Sequence, residues 1–235
     1  MPARRRHRRA RAGAARLAAP RLRACRPLRG RCRIGREHLA GRAAAGLDRR
    51  PRERGVTAFR AAGERYLTEH DGITTLSCFA TGPHYDPANL SFGPVLAVDE
   101  HRLAPGAGFA EHAHRGVVIA TWVLAGTLRH SGGGADRLVG PGEVFVQDAT
   151  DGIRHSEVNA SATRPLRFVQ TTWAAGSGAR FSVIDAPARL PGPAHLYVAA
   201  GEVAVVGRWL EAGDSVRAVE AVGIEGSGTV LAVTW

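Results

Sequence analysis

The sequence predicts an all-β fold of two small β-barrels stacked on one another. Three observations carry this. From Val56 onward apolar residues alternate in short runs. Gly, Pro, Asn and Asp interrupt those runs at intervals of about ten residues, the spacing of sandwiches and barrels. No long 3.6-residue period appears in this part of the chain. One run is Val95–Val98. Val117–Leu124 is the most apolar; it ends at Ala125-Gly126, a turn that returns the chain through Leu128 and His130. Gly132-Gly133-Gly134 is a flexible loop, and Pro141-Gly142 is a turn feeding a strand at Val144–Gln147. Leu166–Trp173 is the next strand. After a Gly/Ala break at Ala174–Ala179 come Phe181–Ile184, His195–Ala199, Val203–Val206, a turn at Ala212-Gly213-Asp214, and Thr229–Trp235. The runs divide into a first barrel at residues 60–174 and a second at residues 179–235. The second is short and is expected to lean on the first for its core.

The 235 residues carry a formal net charge of +11, unevenly spread. Residues 1–55 hold 19 arginines against Glu37, Asp48 and Glu53, a balance of +16. Residues 56–235 hold 13 arginines against 18 acids, a balance of −5. The folded body is mildly acidic and offers no electrostatic reason to bind nucleic acid. All 32 basic residues are arginine, and Ala, Gly and Pro are abundant. GC-rich coding explains that bias without any functional cause. Residues 1–55 lack Phe, Tyr, Trp and Ser. Such a segment cannot bury enough apolar surface to offset its ordering entropy, so disorder is expected. It reads as upstream sequence from a start codon placed too early (with Val56 as the true start), as a basic arm for nucleic acid or acidic surfaces, or as a transit peptide. The lack of Ser counts against the last.

Cys25, Cys32 and Cys78 form no CxxC pair and no even-numbered framework, which fits a reducing, cytoplasmic compartment. No stretch approaches the ~18 apolar residues of a membrane span. No apolar core follows the basic start, as a secretory signal would require.

Two segments carry chemistry: Gly108-Phe-Ala-Glu-His112-Ala-His114-Arg115 and Gly152-Ile-Arg-His155-Ser-Glu157. Residues i and i+2 of a strand share a face, so His112 projects with His114 and His155 with Glu157. If the two strands face one another across a barrel, four ligands converge. Imidazole plus carboxylate suits Fe(II), Mn, Ni, Cu or Zn, and the lack of thiolate argues against a structural zinc site. Three imidazoles and one carboxylate leave one or two coordination positions open, as a catalytic or sensing site needs. A lone HxH is weak evidence and a lone HxE weaker. Two such pairs on separate strands, each after a glycine-bearing turn, are much stronger together.

The segments Asn89-Leu-Ser-Phe-Gly-Pro94, Leu103-Ala-Pro-Gly-Ala-Gly-Phe109, His112-Ala-His-Arg115, Thr121-Trp-Val-Leu-Ala-Gly126, Pro141-Gly-Glu-Val144, Gly152-Ile-Arg-His-Ser-Glu157 and Pro165-Leu-Arg-Phe-Val-Gln170 resemble consecutive blocks of the pirin family, in the cupin superfamily. The resemblance covers about residues 60–235 and is densest over 86–173. It implies a bicupin. The N-terminal cupin would hold one Fe(2+), or another divalent first-row metal, through His112, His114, His155 and Glu157. The C-terminal cupin would lack a metal site, and His195 is indeed the only histidine after His155. The family includes quercetin 2,3-dioxygenases and redox-responsive regulatory proteins. The implied enzyme is therefore an Fe(II)-dependent dioxygenase acting on a small aromatic enol and O2, with Glu157 as general base toward the substrate hydroxyl. The alternative is a non-enzymatic redox- or metal-sensing protein that binds a protein partner; a third reading is a vestigial metal site. The chain departs from the family pattern at Ala113, where proline is common, at Val118, where a glutamate usually stands, and at Arg129, where an acid is frequent.

Other side chains have plainer readings. His130 either orients a ligand or is a half-exposed strand residue. Arg115 and Arg154 could hold an anion, though surface arginine is the default. Phe109, Trp122 and Phe145 could wall a cavity or be ordinary core. His84 and His101 read as surface-loop residues, Glu143 as a solvated turn residue, and Cys78 as an inert buried thiol on a strand.

Overall fold

The computed structural model describes residues 56–134 and 136–235. The disorder expected for residues 1–55 falls outside the described residues. Among these, seventeen strands and one 3₁₀ turn at Ala62–Glu64 follow one another. The strands are β1 (Val56–Arg60), β2 (Tyr66–His70), β3 (Ile73–Ser77), β4 (Val95–Leu103), β5 (Gly108–His114), β6 (Val117–Ala125), β7 (Leu128–Gly132), β8 (Arg137–Val139) and β9 (Val144–Ala149). There follow β10 (Ile153–Asn159), β11 (Leu166–Ala174), β12 (Arg180–Asp185), β13 (Ala188–Leu190), β14 (Ala194–Val205), β15 (Arg208–Glu211), β16 (Ser215–Ala218) and β17 (Val222–Thr234). The fold is two stacked cupin-type barrels, as the sequence predicts. No helix among the described residues is long and apolar enough to cross a membrane.

The first barrel is two facing sheets, one ordered β2-β3-β4-β11-β6-β9 and the other β5-β10-β7-β8. Between them lies a core of Ile73, Leu103, Val123, Leu128, Val139, Phe145, Leu166 and Phe168. The period of two along β11 decides what faces where. Phe168 enters the barrel core and Gln170 reaches Glu157 inside the barrel, while Val169 and Trp173 pack outward against the second half. The same rule explains why β6 is the most apolar run. Val123 joins the barrel core and Ala120 and Trp122 join the outer cluster, so both faces are covered.

The second half is one sheet ordered β1-β16-β14-β17-β12, with β13 added to β17 and β15 to β14. β14 and β17 pair along nearly their whole length around a bulge at Val198/Ala200. Where two strands are expected at 195–199 and 203–206, one long strand runs through. Gly201 makes the bend in the left-handed region, and a Cβ there would stand 2.3 Å from the Ser227 carbonyl oxygen. The inner side of this sheet is apolar throughout its core, including Leu196, Val198, Val203, Val205, Ile224 and Val230.

The second half has its own core and also packs on the first: Tyr197, Ala199, Leu231 and Val233 share one cluster with Val98, Ala120, Trp122 and Val169. Its edge strand comes from an unexpected place. β1 lies ahead of the first barrel in sequence but pairs with β16, Phe59 opposite Val216 and Arg60 opposite Ser215. Glu100 anchors the junction. Its buried carboxylate accepts from Tyr197 Oη at 2.7 Å, Arg65 Nη1 at 2.9 Å, Arg102 Nε at 2.8 Å and Arg167 Nε at 2.7 Å. Burial alone would raise its pKa, but those donors outweigh burial and hold the carboxyl well below the usual range.

Candidate metal centre

β5 and β10 are antiparallel neighbours, and His112 lies directly opposite His155. Two residues farther along β10, Glu157 lies opposite Phe109, so two steps on β10 match three on β5. This bulge keeps His112 and Phe109 both facing inward. Close backbone approach on each side of β10 depends on glycine. A Cβ on Gly108 would stand 2.4 Å from the Glu157 carbonyl oxygen, and one on Gly132 2.4 Å from that of Arg154. Gly132 also has φ +98°, a region that disfavours any side chain.

One ligand-type atom each from His112, His114 and His155 lies within 4.8 Å of the others. The Nε2 atoms of His112 and His155 are 3.0 Å apart. Their other nitrogens are tied back. His112 Nδ1–H donates to the Ala110 carbonyl at 2.8 Å, and His155 Nδ1–H donates to Gln147 Oε1 at 2.8 Å. Both rings thus turn Nε2 lone pairs toward one point. His114 Nε2 is buried and has no hydrogen-bond partner. A cation at that point would satisfy all three nitrogens, so the residues fit a metal. Burial, and then the neighbouring His112, His114 and His130, push the His155 pKa down to about 3. Burial and His112 lower that of His114. Neutral imidazole, the form that ligates, is therefore the form of these two rings at pH 7.

Glu157 is buried on the same inner face of β10. Its two carboxylate oxygens accept from Gln170 Nε2 at 3.0 and 3.1 Å, and Gln170 also donates to Thr121 Oγ1 at 3.1 Å. Burial pushes its pKa up, against the Gln170 hydrogen bond and the influence of His130 and His112. It is not among the three groups whose ligand atoms lie within 4.8 Å of one another. The structure brings the three histidines together and leaves Glu157 beside them, in the grip of Gln170.

The remaining candidates sort by strand face. His130 is fully buried, with Nε2 2.9 Å from His155 Nδ1, and is not half-exposed. His101 is not a surface-loop residue. It sits inside the barrel on β4, bonded to Thr75 Oγ1 at 2.9 Å and packed on Phe109 and Phe168. Phe109 and Phe145 wall the site against His112 and His130. Trp122 faces away, into the junction with the second half. Arg154 pairs with Glu111 at 2.9 Å on the surface, and Arg115 is exposed beside Gly152. His84 is a half-buried loop residue bonded to Thr68. Cys78 stands just past the end of β3, buried, its thiol pushed up to about 12 by burial. Beside His112 a cleft of about 500 Å3 runs between β3 and β5, lined by Thr68, His70, Ile73, Thr75 and Phe109. The residues that sequence reasoning missed are Gln147, Gln170 and Thr121. Each is an inward position on a strand of the opposite sheet, and only that parity could have singled them out.

Residues 59–174 match the family model described as Pirin. A Mycobacterium tuberculosis protein named "Putative quercetin 2,3-dioxygenase" is 40% identical over 112 residues, 47% of this chain and 46% of that one. An Escherichia coli quercetin 2,3-dioxygenase is 34% identical over 112 residues, 47% of this chain and 48% of that one. These matches span about half the length of the curated relatives. Among solved structures, the Escherichia coli pirin YhhW in complex with nickel(II) aligns with a TM-score of 0.67 at 22% identity, covering 75% of this chain and 97% of that one. An Acinetobacter baumannii quercetin 2,3-dioxygenase aligns with a TM-score of 0.54 at 18% identity, covering 72% and 76%. At those identities the likeness is one of fold. Residues 59–174 of the chain are thus a pirin-family domain.

Proposed function

We propose that the chain is an Fe(II)-dependent dioxygenase of the quercetin 2,3-dioxygenase type, with His112, His114, His155 and Glu157 as the metal ligands. The convergence of three histidine ligand atoms within 4.8 Å, two of the rings already tied back through Nδ1, carries the reading. The names of the sequence relatives supply the reaction class. Iron held there supplies Lewis acidity toward an enolate oxygen and electrons toward O2.

The chain's own residues do the rest. The cleft between β3 and β5 admits a flat aromatic enol against Ile73 and Phe109, one end of it at His112. Phe109 and Phe145 keep water from the imidazoles. Glu157 has two tasks in this scheme. One of its oxygens would complete the ligand set, and the other, still held by Gln170, would take the enol proton. A reducing, cytoplasmic setting that keeps iron ferrous belongs to the same proposal.

The test is aerobic turnover of quercetin by the iron-loaded chain, with Glu157→Ala as control. We expect oxygen uptake and ring cleavage in the wild type and loss of both in the variant. Stoichiometric metal without turnover of any flavonol or catechol, for every first-row metal tried, would remove the enzyme and keep the centre.

A further inference from the structure

The two functional side chains of β10 are each held from across the barrel by a glutamine, and the two amides are turned opposite ways. Gln147, on β9, presents its oxygen to His155 Nδ1 at 2.8 Å. Gln170, on β11, presents its nitrogen to both oxygens of Glu157 at 3.0 and 3.1 Å. β9 and β11 flank β6, where Ile119 pairs with Gln147 and Thr121 with Gln170. The glutamines therefore stand on either side of one central strand, on the sheet facing the histidines.

The orientation of each amide has a chemical consequence. An amide oxygen only accepts, so Gln147 as placed requires the proton of His155 on Nδ1 and leaves the lone pair on Nε2. Turned over, the same amide would donate to Nδ1 and put the proton on Nε2, where it would point at His112. Gln170 is the mirror case. Its NH2 group can only donate, so it holds both Glu157 oxygens in place, and the bond from Gln170 to Thr121 Oγ1 uses its second hydrogen. His130 Nε2, 2.9 Å from the same His155 Nδ1, can share the Nδ1 proton as a second acceptor.

We infer that Gln147 and Gln170 are positioning residues that set the tautomer of His155 and the placement of Glu157, so that metal affinity at this centre depends on the acceptor at 147 and the donor at 170. The inference rests on the three-histidine centre proposed above but not on any substrate or turnover. Outer partners of metal ligands characteristically change affinity by about 10–100-fold.

The experiment is Co(II) binding to the full chain by chelator competition, with the ligand-field spectrum of bound cobalt as a second readout. The variants are Gln147→Met, Gln147→Glu and Gln170→Met, each first shown to melt cooperatively without metal. Met keeps the volume and removes the polar group; Glu at 147 keeps the acceptor and strengthens it. We expect Gln147→Met to weaken binding about 10–100-fold and to shift the cobalt bands. Gln147→Glu should bind at least as tightly as wild type, and Gln170→Met should weaken binding by a smaller factor. A role in packing alone predicts the reverse order at 147, with Met tolerated and a buried Glu harmful. Wild-type affinity and spectrum in Gln147→Met would overturn this inference and leave the centre standing. Failure of the wild type to bind cobalt would overturn both. If Gln147→Glu does not fold, Gln147→Met against wild type decides alone.

Discussion

The two halves of the molecule use the same strand grammar for opposite ends. In the first barrel the four-stranded sheet turns His112, His114, His130, His155 and Glu157 inward, and the facing sheet answers with Gln147, Gln170 and Thr121. In the second half the corresponding inner side is built from Leu196, Val198, Val203, Val205 and Ile224. His195, the only histidine there, lies on the other side of β14, fully buried against Phe79. Strand alternation alone therefore does not distinguish the halves. Which residue types fall on the inward parity does, and a polar inner face is sustained only where each group has a partner.

The largest stability effect should come from the apolar half. Leu196→Ala removes a buried side chain from the second core and should cost about 2–5 kcal/mol, read by urea denaturation. Metal stoichiometry in the folded protein should stay unchanged, since the core of this half holds no ligand. Loss of metal from a folded Leu196→Ala chain would mean that the halves are not separable in this way.

Acid should weaken both halves of the metal-free protein. Burial pushes the pKa of His101 down to about 4 and that of His195 down to about 3, against an ordinary 6.5. A depressed folded pKa means that the unfolded chain binds the proton first. The stability these rings contribute is therefore whole above pH 6.5 and drains as pH falls toward about 4. Between pH 8 and pH 5 each should cost about 2 kcal/mol, at ~1.4 kcal/mol per unit. His195→Phe should flatten that fall by one histidine's share, and an equal slope in variant and wild type would contradict it.

A glycine substitution in the polar half should cost less in stability but reach the centre. Gly108→Ala drives a methyl toward the Glu157 backbone and should cost about 1–3 kcal/mol. Because β5 must shift away from β10, metal affinity should fall with it. An alanine variant with wild-type affinity would show that the β5–β10 spacing does not matter to the centre.

Much of this was legible in the sequence, for reasons visible in particular residues. His112, His114 and His155 could be placed together because a strand has a period of two and the motifs lie on separate strands. Val117–Leu124 announced a doubly covered strand by being apolar at consecutive positions. The β1–β16 pairing was not legible, since Phe59 and Val216 are far apart in sequence and β1 looks like any short strand. His101 was misjudged because a histidine between charged neighbours resembles surface. Its parity with Leu103, a core residue, was the available signal. Gln147 and Gln170 could not be singled out, because an amide on a strand is unremarkable until its partner across the barrel is known. The position of Glu157 was only partly foreseen: the inner face of β10 follows from parity, whereas its bond to Gln170 is a cross-sheet contact.

The most direct measurement is the metal content per chain of protein purified without chelators, for wild type and His155→Ala side by side. The account predicts one tightly held first-row metal per wild-type chain, and background levels in a variant that still folds. A folded wild type that retains no metal on exposure to Fe(II), Ni(II) or Co(II), or a His155→Ala chain that retains it fully, would contradict the account at its centre.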